Sequence, residues 1–118
     1  MTTTTDATTG TIASLNDKYR QAWGVYPNAK VVMTDGISNL PDAKRSKVFE
    51  AVQQFKDFNE DNDPHGEHDF GSIEVPGVND KVFWKFSYYD LSMDWGSEYP
   101  EDASKTVRVL TIMMAWEY

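Results

Sequence analysis

The sequence predicts an α+β fold, a single domain with element order αβαβββ whose two helices pack on one face of a mainly antiparallel four-stranded sheet. Three observations carry this. Apolar residues recur at spacings of three and four over residues 11–24 and 41–58, the spacing changes to two from residue 68 onward, and the final apolar run is hydrophobic on both faces. At 118 residues the chain can bury one core and has no room for a second. Its hydrophobic content of 40% supplies the apolar surface that disordered chains lack.

Residues 1–10 read as a Thr-rich disordered tail, and 11–118 as the domain. Ile12, Leu15, Tyr19, Ala22 and Trp23 follow helical spacing after Thr11, a predicted N-cap, and Gly24 ends the helix. Lys30 to Thr34 is a short β-branched strand closed by the Asp35-Gly36 turn signal. Pro41 opens a second helix, with Asp42 near the positive end of its dipole. Val48, Ala51, Val52 and Phe55 form its apolar stripe, and it is predicted to end near Phe58. His68 to Val75 and Lys81 to Asp90 read as a hairpin around Pro76 to Asp80. In its second strand Val82, Trp84, Phe86 and Tyr88 share the predicted core face. Lys105 to Trp116, apolar on both faces, should be a central strand.

Charge is segregated along the chain. From Asp57 to Asp80 there are eight acids and no Lys or Arg, and from Phe86 to Ser104 five acids and again no base. The net charge of -8 thus divides into -13 from these two segments and +5 from the remainder. In an antiparallel hairpin the start of one strand and the end of the next share an end, so the loop before His68 and the loop after Asp90 should be neighbours. The expected result is an acidic edge, held against the repulsion of like charges. Its candidate binding residues are Asp57, Glu60, Asp61, Asp63, Glu67, Asp69, Asp90, Asp94, Glu98, Glu101 and Asp102, with the aromatics Trp95 and Tyr99 among them. Aromatics beside charged groups favour protein interfaces.

Several chemistries are excluded or poorly supported. Without cysteine there is no disulfide, thiolate metal site or Cys nucleophile. No apolar run reaches the ~20 residues that span a bilayer. The first residues lack the basic and apolar regions of a secretory signal, so a cytoplasmic protein with no membrane contact is expected. A pI near 4.5 opposes direct binding to nucleic acid, whose phosphates need Lys and Arg. No nucleophile elbow or phosphate-cradling loop occurs, and no catalytic residue, metal or cofactor is expected. His65, Glu67, His68 and Asp69 are the one cluster of transition-metal ligand types, and a small metal-binding protein or enzyme centred on them is the alternative reading. Against it, the loop lacks the EF-hand spacing, and Asn62, Asp63 and Pro64 read as a side-chain-capped turn with His68 hydrogen-bonded to a carboxylate.

The run Asn62-Asp63-Pro64-His65-Gly66-Glu67-His68-Asp69-Phe70-Gly71, then Phe83-Trp84-Lys85, Tyr88-Tyr89-Asp90, Gly96-Ser97 and Thr106 to Met113, resembles a family of small uncharacterised bacterial proteins, a domain of unknown function. The resemblance covers about residues 14–118. It implies genes carried on plasmids and mobile elements, near others that blunt restriction or CRISPR defence, and it brings no catalytic residues with it. Together with the acidic edge it points to an anti-CRISPR or anti-restriction inhibitor. Such an inhibitor would bind a basic, nucleic-acid-handling defence complex of the host by mimicking nucleic acid. A domain that merely pairs with a second copy of itself is a third reading.

Overall fold

The computed structural model describes residues 4–118. Its elements are α1 (Thr4–Gln21), β1 (Ala29–Met33), α2 (Asp35–Ser38), α3 (Asp42–Gln53), β2 (Phe70–Ile73), β3 (Val82–Tyr89), β4 (Val107–Met114) and a closing 3-10 turn, Ala115–Glu117. The four strands form one sheet in the order β1-β4-β3-β2. The β2–β3 and β3–β4 pairs are antiparallel and β1–β4 is parallel, which makes the sheet mixed. The expected order αβαβββ therefore lacks one element. Asp35-Gly36, read as a turn, starts the short helix α2, which seats Ile37 with no exposure in the core.

Other boundaries shift for physical reasons. α1 starts at Thr4, so the predicted cap Thr11 lies within it; residues 1–3 of the expected tail lie outside the described residues. From Ile12 the helix buries Ala13, Asn16, Tyr19 and Arg20 along one stripe; it ends at Gln21, and Gly24 takes φ 75° in the turn that follows. α3 stops at Gln53, ahead of the predicted Phe58, because the chain leaves the helix to set Phe55 and Phe58 edge-on against Trp84. β2 starts at Phe70, two residues after the predicted start, since His68 has φ 53° and cannot continue a strand.

One apolar cluster joins Tyr19, Ile37, Val48, Val52 and Phe55 to Val82, Trp84, Phe86, Leu110, Ile112 and Met114 of the sheet. The alternation read in β3 holds: Val82, Trp84 and Phe86 are buried and Tyr88 is half-buried. β4 lies between β1 and β3, as its two-faced hydrophobicity predicts.

The chain end is clamped. The Glu117 carboxylate accepts hydrogen bonds from Thr34 Oγ1 at 2.6 Å, Met114 N at 2.9 Å and Gly36 N at 3.0 Å. Burial pushes this carboxyl up, but the three donors outweigh it and hold it below its ordinary value. A depressed folded pKa gives stability that is complete above the unfolded value of ~4.3 and lost as pH falls through the folded one. Glu117→Gln should therefore lower the melting temperature at neutral pH. The gap to the parent protein should close in acid below pH ~4, and thermal melts across pH check both.

Candidate functional site

The loop from residue 55 to 69 organises itself with its own side chains. Asn59 Oδ1 accepts from the backbone N of Asp61 at 2.8 Å and Asn62 at 3.0 Å, while Asn62 Nδ2 donates to Asp57 O at 2.6 Å. Asp63 Oδ1 accepts from Glu67 N and His68 N, both at 3.2 Å, in the capped turn the sequence predicts. This use turns Asp63 inward. Its side chain is 5% exposed, so it adds little to the outer surface.

His68 is held from three sides. Its Nδ1 lies 3.0 Å from both carboxylate oxygens of Asp17, its Nε2 lies 3.5 Å from Asp63 Oδ2, and its ring stacks on Phe58 at 3.8 Å. Asp17 also pairs with Arg20 Nη1 at 3.0 Å, and Arg20 donates onward to the carbonyls of Val52 and Phe55. The ring thereby ties the loop to α1, and Arg20 ties α1 to the end of α3. Among the described residues no group of three His, Asp or Glu side chains is arranged to hold a metal ion. His68→Ala, which frees two partly buried carboxylates, should cost about 1–3 kcal/mol. Denaturant unfolding measures this, and a partner's affinity for the folded fraction should stay unchanged.

A second network ties the two acidic loops together. Asn16 Nδ2 donates to Glu67 O at 3.0 Å and to Tyr88 Oη at 2.8 Å. The buried Arg108 donates from Nε to Asn16 Oδ1 at 3.0 Å and from Nη2 to the Pro100 carbonyl. Its guanidinium lies between the rings of Tyr88 and Tyr19, at 5.2 and 5.7 Å. Glu67 in one loop and Pro100 in the other are thus linked through two buried side chains. The crowding has an electrostatic signature. Burial first, then neighbouring carboxylates, raises the carboxyls of Glu67 and Asp69, and burial with those charges pushes the Tyr88 phenol up to about 12.

The second loop is a folded-over extension of the sheet. A bridge between Tyr89 and Gly96, with Asp90 N bonded to Trp95 O and Ser97 N to Tyr88 O, holds residues 90–96 as a tight turn. Asp90 and Asp102 cap within the loop: Asp90 accepts from Ser92 Oγ and Asp94 N, and Asp102 from Ser104 N and Oγ. Those hydrogen bonds, from Ser92 and from Ser104 first, hold both carboxyls below the ordinary range. The loop presents apolar groups to solvent, Leu91 at 57% and Trp95 at 75% exposed on the turn and Tyr99 at 49% just after it. Lys105 Nζ sits 4.5 Å over the Tyr99 ring.

Of the residues singled out from sequence, Asp57, Glu60, Asp61, Asp94, Trp95, Glu98 and Tyr99 are exposed. Glu67, Asp69, Asp90, Glu101 and Asp102 are half-buried, and Glu101 keeps one carboxylate oxygen buried without a hydrogen-bond partner. Sequence reasoning missed Asn16, Asp17, Arg20 and Arg108. A lone Arg within the apolar run Val107 to Met114 was the available signal, because a strand with that pattern buries whatever it carries.

Residues 33–117 match a family described as a protein of unknown function, DUF3768. No curated protein and no solved structure matches the chain. No helix among the described residues is long and apolar enough to cross a membrane.

Proposed function

The chain belongs to the DUF3768 family, and we propose that it is an acidic inhibitor of a basic, nucleic-acid-handling partner. The observation that carries the reading is the 90–104 loop, in which Trp95 and Tyr99 stand exposed among Asp94 and Glu98 within a stretch, 86–104, that holds no base. Tryptophan and tyrosine dominate the binding energy of protein interfaces when they enter a partner's pocket. The surrounding carboxylates supply attraction and fast association with a Lys/Arg-lined groove meant for phosphates. The buried Arg108 and Asn16 network presets the loop, so little entropy is lost on docking.

The partner class that fits is a defence complex that grips DNA or RNA, of the CRISPR or restriction type, and the gene's expected setting is a mobile element. A displacement assay tests this. Labelled DNA is bound to a purified defence complex, and the protein is titrated in with and without a chelator. Displacement at stoichiometric concentrations, unaltered by chelator, is expected. Loss of displacement on chelation would transfer the role to a metal held by the His65 to Asp69 segment.

A further inference from the structure

We infer that the free edge of β1 pairs with the same edge of a second copy of this chain, so that two four-stranded sheets become one continuous sheet. β1 bonds β4 through its even-numbered residues: Arg108 N donates to Asn28 O at 2.9 Å, and Thr34 N donates to Ile112 O at 3.1 Å. The N–H and C=O groups of Ala29, Val31 and Met33 therefore point outward, and none has a hydrogen-bond partner among the described residues. Ala29 and Met33 stand exposed although they share the sheet face of the buried Leu110 and Ile112, so no helix closes over this edge. Such an edge is a template for another strand, and β1 lacks the proline, bulge or acid that would blunt it.

Register and charge select a second copy as the occupant. The outward groups lie symmetrically about Val31, so a two-fold axis there sets Ala29 opposite Met33 and Val31 opposite its own copy, and pairs every one of them antiparallel. Lys30, the one charge on the strand, then faces Val32 of the second copy, not another Lys30. The chain has no acid from Lys18 to Thr34, whereas the other edge strand, β2, is flanked by Asp69 and Glu74, which the same operation would set against each other. Asn28 Nδ2 donates to Ala103 O at 3.4 Å, so the acidic 90–104 loop lies at the Ala29 end of β1. Antiparallel pairing thus holds the loops of the two copies at opposite ends, where their repulsion is least. The edge shares no residue with that loop, so the inference does not rest on the inhibitor reading.

The test is sedimentation equilibrium of the full chain across concentration, joined to amide hydrogen exchange by NMR. Two short strands make a small interface of the weak class, so the dimer should become the main species by about 1 mM. The amides of Ala29, Val31 and Met33 should gain protection as concentration rises, and those of Lys30 and Val32, already bonded to β4, should not. Val31→Pro removes an N–H that β4 does not use, so it should keep a cooperative melt and abolish the dimer. Val32→Glu, opposite Lys30 of the second copy, should tighten the dimer at least about threefold, and Val32→Lys should loosen it by as much. Should Val31→Pro fail to fold, the opposite signs of the two changes at position 32 decide. A chain still monomeric at that concentration, a dimer indifferent to Val31→Pro, or Val32→Glu and Val32→Lys acting alike would each overturn the inference.

Discussion

Gly71→Ala should destabilise the domain by about 3 kcal/mol, near the upper end of what over-packing a core produces. A Cβ at position 71 would stand 2.3 Å from Trp84 Nε1 and 2.5 Å from its Cε2. Neither side can yield cheaply. Gly71 is paired across the ladder with Trp84 itself, and the indole is fully buried between Phe55, Phe58 and Arg20, whose guanidinium carbon lies 4.9 Å over the ring. For a domain of this size the melting temperature should fall by more than about 10 °C. Shrinking the neighbour should recover part of the loss, so the double variant Gly71→Ala with Trp84→Phe should be less than additively destabilised. A single variant that melts within about 2 °C of the parent would show that the indole is not held against the strand.

Reversing charge at Asp94 and Glu98, both exposed and beside Trp95, should slow association with the partner by about ten- to a hundredfold. Equal changes at Asp42 and Glu50 on α3 should have little effect. Salt should act in the same direction as the substitutions, because the Debye length shrinks from ~10 Å at 0.1 M to ~3 Å at 1 M. Trp95→Ala should act differently. Removing an anchoring ring raises the dissociation rate and leaves the salt dependence of association intact, so stopped-flow traces separate the two contributions. An association rate indifferent both to charge reversal and to salt would leave the aromatic turn as the sole attachment point.

Much of this architecture was legible in the residues. The period-two pattern of Val82, Trp84 and Phe86 placed the core face of β3, and the two-faced run from Val107 placed β4 at the centre of the sheet. The parallel pairing of β1 was not legible, because periodicity reports which face a strand buries and says nothing of its neighbour's direction. The Asp35-Gly36 pair misled for a related reason. A turn signal and a helix start share residue types, and the glycine is accounted for by the Glu117 carboxylate, brought from 81 residues away, together with the Met114 side chain.

The candidate site divides the same way. That Asp63 caps its own loop followed from local turn chemistry. That His68 finds Asp17 depended on packing α1 against the loop, a contact 51 residues apart in sequence. Exposed aromatics in the 90–104 segment could be anticipated from their number, since one small core cannot bury them all. Their joint presentation on a pinned turn required Arg108 and Asn16, whose roles no spacing rule encodes.

Inhibition itself can be read in cells. A plasmid carrying a sequence recognised by an active CRISPR or restriction system is introduced into a bacterium expressing either the parent protein or a folded variant bearing Trp95→Ala, Asp94→Lys and Glu98→Lys. The parent protein should restore transformation toward the level of an unrecognised plasmid, and the variant should not. Equal transformation with parent, variant and empty vector across representative systems, from protein shown to be soluble and folded, would contradict an inhibitory role for the acidic loops.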